Sequence, residues 1–446
     1  MDDRVLALVK RFGWNATSFQ ALEHGFSHFW AGDDACVAYV DTGAAWVAAG
    51  APLAEEGRLE EVARAFLAAA EAAGRRACFF AVEERFVARF VAASGCAAIA
   101  IGEQAVWEPA AWPDVVARSG SLREQLRRAR AKGVTVRRAS DGETRDPASP
   151  LGRALRAIAG RWLRTRELAP MGFLVNVQPL TLLVEHRVYV AEREGVPVAF
   201  LLVAPIYARD GWLLQHLLRV PEAPNGVSEL LIDAAMRDAR DEGRRFVTLG
   251  LSPLAGEVPG ALRAARALGR ALYDFAGLRA FRAKLSPGAW VPQYLCFPRA
   301  QGAAHALRDT LAAFARGSLA RFALETLARG PRVIVWLLAL LLIPWTALLA
   351  AAPARWFPSP WVQAAWVAFD LVLVGAMFSL ARRWRAGLAN ALIAATAADA
   401  VVTTAEVLAW NAPRGLTAFE TAVVLVACAA PALACAALVG ARRRRA

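Results

Sequence analysis

The chain has 446 residues, 57% of them hydrophobic, with a formal net charge of +13. That length allows roughly two to four domains, and the charge points to anionic partners, nucleic acid or anionic lipid. The six cysteines (Cys36, Cys78, Cys96, Cys296, Cys428, Cys435) contain no CxxC pair and no metal spacing, so they are expected to be reduced and mostly buried.

Residues 1–11 carry charges and only a short apolar run, too short for a signal-peptide core. The domain that follows is therefore expected to stay on the side where it is made. From 35 to 101, short apolar runs alternate with amphipathic stretches. Strands are predicted at 36–40, 45–49, 77–82 and 97–101, and helices at 59–73 and 85–93, the first stopped by Gly74. Residues 108–115, with Pro109 and Pro113, read as a connection. The second half is similar in kind: helix 122–132 stopped by Gly133, strand 134–137, helix 151–167, strands 188–191, 198–204 and 212–218, helix 227–241, and a buried strand at 246–249. The pattern is an α/β arrangement that occurs twice.

Four apolar stretches follow at about 333–352, 361–381, 388–410 and 419–440, each long enough to cross a ~30 Å hydrocarbon core. Their flanking charges alternate. Arg329 and Arg332 precede the first, and only Arg355 separates the first two. Arg382, Arg383 and Arg385 separate the second and third, only Arg414 the last two, and Arg442–Arg445 close the chain. The positive-inside rule then puts the large domain, the middle loop and the C-terminus in the cytosol. Asp370, Asp399, Glu406 and Glu420 fall in or near these spans. Either they line a polar or headgroup path, or they pair with Thr403, Thr404 or terminal arginines or stay protonated.

The sequence has no Walker loop, no Rossmann glycine fingerprint and no GxSxG elbow. His24 and His28 are four apart but lack a glutamate between them and a third ligand, so neither a metal nor a cofactor is expected. Between Ser119 and Ser140 seven Lys/Arg stand against Glu124, and on a helix Arg123, Arg127 and Arg130 share one face. Such a run is either a solvated face or a phosphate contact. Residues 261–330 carry eleven Lys/Arg against three acids. Within them, 303–327 reads as an amphipathic helix with Leu307, Leu311, Phe314 and Phe322 on one side, suited to an anionic membrane surface.

Three stretches, Ser121–Gly133, Leu217–Val227 continuing to Val247–Leu254, and Gly277–Tyr294, together with the entry Phe12–Phe19, resemble the C-terminal catalytic domain of bacterial phosphatidylglycerol lysyl- and alanyltransferases (the multiple peptide resistance factors). The resemblance covers about residues 10–300 and implies two tandem acetyltransferase-like (GNAT-type) folds; the four-helix bundle read from the apolar stretches follows them, in what the resemblance makes a bacterial inner membrane. The expected organisation is a first half at 1–110, a second half with the active site at 111–300, a basic juxtamembrane linker at 301–330 and the bundle at 331–446. The implied activity is transfer of an aminoacyl group from aminoacyl-tRNA to a lipid hydroxyl such as that of phosphatidylglycerol, and both partners are polyanions.

The roles that follow from the resemblance are these. Arg219 grips phosphate or the developing oxyanion, Asn225 and Gly226 cap the helix at Val227, and Arg279 and Lys284 bind the lipid phosphate or the tRNA acceptor end. His216 is either a proton shuttle or a structural strand histidine, Glu229 or Asp233 either reads the amino group or faces solvent, and Tyr294, Arg123, Arg127 and Arg130 complete the substrate contacts. Two features depart from the family pattern: Gln215 and His216 stand where an acidic residue often precedes the arginine, and the bundle follows the domain. Two other readings are an acyl-CoA N-acyltransferase, opposed by Pro-Glu-Ala-Pro-Asn in place of a glycine-rich loop, and a non-catalytic lipid-binding sensor or scaffold.

Overall fold

The computed structural model describes residues 2–93, 95–166, 168–177, 180–269 and 274–443. Glu167, the predicted end of one helix, and Arg444 and Arg445 of the basic tail lie outside them. The chain divides into two compact units, Met1–Thr165 with Pro170–Phe322, and Arg166–Ala169 with Ala323–Ala446.

The first unit is built on one mixed sheet. Its strands are β1 (Ser27–Trp30), β2 (Cys36–Asp41), β3 (Ala45–Ala49), β4 (Arg76–Val82), β5 (Cys96–Trp107), β6 (Val134–Arg138), β7 (Arg187–Arg193), β8 (Val196–Ile206), β9 (Gly211–Arg219), β10 (Phe246–Pro253) and β11 (Ala289–Pro298). Their spatial order is β1-β2-β3-β4-β11-β5-β10-β9-β8-β7-β6. Each half is an antiparallel meander whose last strand runs parallel to the next one through a crossover helix. Leu59–Ala72 joins β3 to β4, and Val227–Asp241 joins β9 to β10. The closing strands are exchanged: β5, from the first half, pairs with β10, and β11, from the second, pairs with β4. The two exchanged strands pair with each other over ten residues at the centre of the sheet. These are the two GNAT-type folds.

Apolar periodicity decides what each helix buries. Val62 and Phe66 of Leu59–Ala72 meet Phe79, Phe86 and Phe90 in the first half. Leu126, Leu155 and Leu231, from three different helices, meet Val190 and Leu201 in the second. The helix Asp3–Phe12 is started by the Asp2 side chain, which accepts the N–H groups of Arg4 and Val5. Together with the 3-10 turn Ser18–Leu22 it lies between the halves. Its Val5 and Val9, with Phe19, pack against Cys36 and Ala38 on one side and Leu213 and Phe246 on the other. The four cysteines of this unit are buried thiols.

Three expectations need correction. Residues 108–115 are not a simple connection: Pro109 opens a 3-10 turn and Pro113 sits in the first turn of a helix, Trp112–Arg118, where its missing N–H costs nothing. The strand expected at 246–249 runs on to Pro253. The amphipathic helix expected over 303–327 is two helices, Ala303–Phe314 and Leu319–Arg329, broken where Arg316 and Gly317 take positive φ. The first packs into the domain. Phe314 meets Phe80 at 5.3 Å between ring centroids, and Asp309, buried, takes a bidentate ion pair from Arg76. Leu307 and Phe314 are thus spent on protein, whereas Leu311 stays exposed.

In the second unit, four helices among the described residues are long and apolar enough to cross a membrane: Arg332–Ala351, Pro360–Arg382, Ala386–Arg414 and Ala418–Arg443. They pack through Val335, Ala339, Leu373, Met377, Leu380, Ala389, Leu392 and Leu438. Every carboxylate in or beside them has a donor. Thr346 reaches Asp370 (3.4 Å), Thr403 reaches Asp399 (2.9 Å) and Trp366 Nε1 reaches Glu406 (2.8 Å). Glu420 receives Arg355, Trp356 Nε1 and Thr417. Of the partners expected for these acids, Thr403 is used, whereas Thr404 bonds the Ala400 carbonyl instead. The arginine that pairs comes from a loop, not from a terminus.

Candidate active site

The sequence places a bulge and a glycine on the two strands that flank the second crossover, and together they open the sheet. β9 and β10 pair in parallel only at Phe246↔Gly211, Val247↔Trp212 and Thr248↔Leu213, and then diverge. On β10 the register against β5 slips between Thr248 and Leu251, around Gly250 at φ +73°. On β9, Leu214 and His216 oppose adjacent residues of β8, so Gln215 is an unpaired bulge residue two positions past the last β9–β10 pair. The carbonyls that β10 turns toward the gap need donors. Arg282, buried on the helix Phe275–Lys284, supplies them. Its Nη1 donates to Gly250 O (2.8 Å) and Ser252 Oγ (2.5 Å), and its Nη2 donates to Leu249 O (2.6 Å).

A polar cluster surrounds the bulge. Gln215 Nε2 donates to Glu23 Oε1 (2.6 Å) and lies 3.5 Å from His216 Nε2. Glu23 ends the 3-10 turn of the first half, and burial pushes its carboxyl up to about 7. His216 is buried and hydrogen-bonded to the Asn176 backbone, and burial pushes its pKa down to about 4. His186 accepts the Leu183 N–H at Nδ1 (3.0 Å), stands edge-on to Phe19, and is pushed down to about 3, mainly by burial. Both imidazoles are therefore neutral at pH 7. Asn176 Oδ1, His186 Nε2 and Gln215 Oε1 are buried without a hydrogen-bond partner.

The residues nominated from sequence divide by position. His216 lies in this cluster, and Arg219 lies three residues further along β9. Arg219 is exposed, and its Nη1 holds the Ala223 carbonyl (3.1 Å) across the turn that follows. Gly226, at φ +91°, is the N-cap of Val227–Asp241, and no side chain caps that end, so the cap expected from Asn225 is not formed. A Cβ at Gly226 would strike the carbonyl of Gln125. That carbonyl belongs to the helix Gly120–Ala131, and a carbonyl oxygen beside a helix start opposes an anion there. Glu229, in the first turn, is half-buried. Asp233, by contrast, is filled: it accepts Trp112 Nε1 (3.0 Å), Arg130 (3.2 Å) and Arg237 (3.0 Å).

The basic face of Gly120–Ala131 is largely engaged within the protein. Arg123 holds the carbonyls of Val116 and Ala117, Arg127 pairs with Glu124, and Arg130 reaches Asp233. Arg279 pairs with Glu103 (3.4 Å) and lies over the Trp290 ring, whereas Lys284 is exposed. Tyr294 sits on β11 against the core of the first half, apart from the β9–β10 opening, with its hydroxyl pushed up to about 12 by burial and then by Glu84. A separate surface cavity lined by Trp107, Glu108, Val115, Arg118, Ser119 and Pro287 contains none of the nominated residues. Glu23, His186, Asn176 and Arg282 were not singled out from sequence. The signal for Glu23 was a carboxylate between Phe19 and Phe26, in a segment otherwise reading as core.

Residues 6–297 match the family described as phosphatidylglycerol lysyltransferase, C-terminal. The chain belongs to that family. A curated relative, phosphatidylglycerol lysyltransferase of Bacillus subtilis (strain 168), is 31% identical over 153 residues, 32% of this chain and 17% of that protein. The match thus spans less than a fifth of the relative's length. Two solved structures share the fold. The C-terminal domain of a protein assigned as a lysylphosphatidylglycerol synthetase from Agrobacterium fabrum superposes with a TM-score of 0.61 at 23% identity, covering 71% of this chain and 98% of that one. L-PGS from Bacillus licheniformis gives a TM-score of 0.60 at 21% identity with the same coverages.

Proposed function

We propose that this family member is a membrane-anchored transferase that moves an aminoacyl group from aminoacyl-tRNA to the hydroxyl of phosphatidylglycerol or a similar lipid. The observation that carries the reading is the opened β9–β10 pair, with a neutral His216 beside the bulge at Gln215. The lipid hydroxyl oxygen attacks the ester carbonyl carbon, a new C–O bond forms, and the bond to the ribose oxygen breaks. The hydroxyl proton passes to an imidazole nitrogen of His216 and then to the departing ribose oxygen, so atoms and charge balance. In this reading backbone N–H groups at the bulge stabilise the carbonyl oxygen as it gains charge.

Arg219 and the exposed Lys284 serve the phosphates of the two substrates, with Arg279, Tyr294, Asn225, Gly226, Glu229 and the Arg123–Arg127–Arg130 face as further contacts. A net charge of +13 suits a polyanionic tRNA and an anionic lipid surface. The four apolar helices tether the domain to the bilayer, with the domain and the C-terminus on the cytoplasmic side, as the arginine distribution favours. The acyl-CoA reading is disfavoured by the Gln125 carbonyl at the helix start, where a pyrophosphate would need N–H donors.

The test is direct. Purified protein in phosphatidylglycerol vesicles is given aminoacyl-tRNAs labelled on the amino acid, and lipid extracts are analysed for labelled product. Label in the lipid fraction with at least one aminoacyl-tRNA is expected. Its absence with all of them, and from extracts of cells carrying the gene, overturns the reading.

A further inference from the structure

Four carboxylates are buried in the first unit among the described residues: Glu23, Glu83, Asp233 and Asp309. Three of them hold arginines. Glu83 takes Arg209 (3.0 Å), Asp233 takes Arg130 and Arg237, and Asp309 takes Arg76 (2.6 Å). That is the usual condition for keeping a charge out of water. Glu23 is different. It is 8% exposed, its hydrogen-bond partner is the Gln215 amide, and no cation acts on it.

The surroundings of Glu23 point the same way. Gln215 Oε1 and Asn176 Oδ1 are buried without a partner in hydrogen-bond range, and the donor that acts on the Gln215 amide is His186, whose Nδ1 accepts the Leu183 N–H and whose Nε2 carries the proton. His216, the neighbour of Gln215, is bonded to the backbone of Asn176, which brings that segment beside the bulge. Buried acceptors without donors are rare and costly in a folded protein. A carboxylate and two amide oxygens match a compact group with several N–H donors and one positive charge, which is a primary ammonium. The cluster adjoins the bulge where β9 leaves β10. An α-ammonium lies two bonds from the carbonyl carbon of an aminoacyl ester, so a site that holds one beside the bulge holds the other at it.

We propose that Glu23, supplied across the domain by the first half, is the recognition residue for the α-ammonium group of the acyl group being transferred, with Gln215 and Asn176 completing its shell. The inference rests on the aminoacyl-transfer reading for its substrate class, but it is read out by binding rather than by turnover. The selected substrates are α-amino acyl esters with a free amine; N-acylated and α-hydroxy analogues are excluded.

The full-length protein in detergent micelles is titrated calorimetrically with a panel of amino-acid amides, and with lactamide as the hydroxy counterpart of alaninamide. At least one amino-acid amide is expected to bind at least tenfold more tightly than its hydroxy or N-acetyl counterpart. Glu23→Gln is expected to lose at least tenfold in that affinity with its thermal unfolding no lower than wild type, because the substitution removes a buried charge. Glu23→Asp, which keeps the carboxylate, recovers part of the loss and separates recognition from misfolding. Binding by none of the amides, equal binding of lactamide, or a Glu23→Gln affinity within twofold of wild type each overturns the proposal. Selective amide binding without lipid product in the vesicle assay upholds the ammonium site while defeating the transfer reading.

Discussion

The two halves of the domain carry the same device and use it differently. Each has a parallel strand pair fed by a crossover helix, and each has a slipped register on the second strand, at Ala81 (φ +58°) in β4 and at Gly250 in β10. In the first half β3 and β4 stay paired over five residues, and the opening beyond them is plugged. Asn15 Nδ2 takes the Ala81 carbonyl, Asn15 Oδ1 takes the Ala51 N–H, and Gly50 N–H bonds the Phe80 carbonyl. In the second half β9 and β10 part after three residues, and the equivalent Gly250 carbonyl is held by Arg282 from the side. An amide plug closes one opening, and a guanidinium props the other. The N-terminal segment, with Glu23, reaches from the first half to the bulge of the second.

That contrast can be broken most sharply at the two props. Arg282→Leu leaves the carbonyls of Leu249 and Gly250 and the Ser252 hydroxyl without their donor. It should abolish lipid aminoacylation and cost about 3–5 kcal/mol in unfolding experiments, as removal of one partner from a buried charged network does. Its counterpart Asn15→Ala should cost about 1–3 kcal/mol, the penalty for buried groups left unpaired, while transfer per folded molecule stays within twofold. Equal losses of transfer in the two variants would show that the halves are not functionally distinct. Next in size, His216→Asn should lower the transfer rate by about 10²–10⁴-fold, the range for removal of a general base, at unchanged substrate affinity.

A third effect is a pH dependence of stability. The folded-state pKa of Glu23 is raised to about 7 from 4.5, so its neutral form is favoured by the fold. Its contribution is fully present below about pH 4.5 and is lost as pH rises through 7. On an order-of-magnitude basis the span is about 2–3 kcal/mol. Chemical unfolding of Glu23→Gln between pH 5 and 8 should therefore show a flatter profile than wild type. Smallest of all, Arg127→Ala on the exposed helix should leave the unfolding midpoint indistinguishable from wild type, because its pair with Glu124 is solvated.

Helices and strands of the domain were legible where period and stop signals agreed, as at 59–73 with Gly74 or 227–241 with Gly243. Two of the family stretches, Leu217–Val227 and Val247–Leu254, fall on or beside the strands that part, β9 and β10. What composition does not carry is which strands become neighbours. β11 lies between β4 and β5, nearly two hundred residues away in sequence, through pairings that no local pattern encodes. Within Gly277–Tyr294 the arginines at 279 and 282 look alike, and only burial shows that Arg282 props the strands while Arg279 is occupied by Glu103. The stretch 303–314 has an amphipathic period that reads the same whether its apolar side meets lipid or Phe80. Gly317 was the visible sign that the helix would break.

The exchange of β5 and β11 also has a consequence in time. A ribosome releases the first meander, its crossover helix and β4 early, but the strand that must lie against β4 is made only at residues 289–298. Until then β4 has an unsatisfied edge, and the nascent first half remains open to wrong pairings. The strand that closes it emerges shortly before the first apolar helix. The interval between completing the sheet and committing the chain to the membrane is therefore short, and a pause in translation near residue 300 should raise the yield of folded protein.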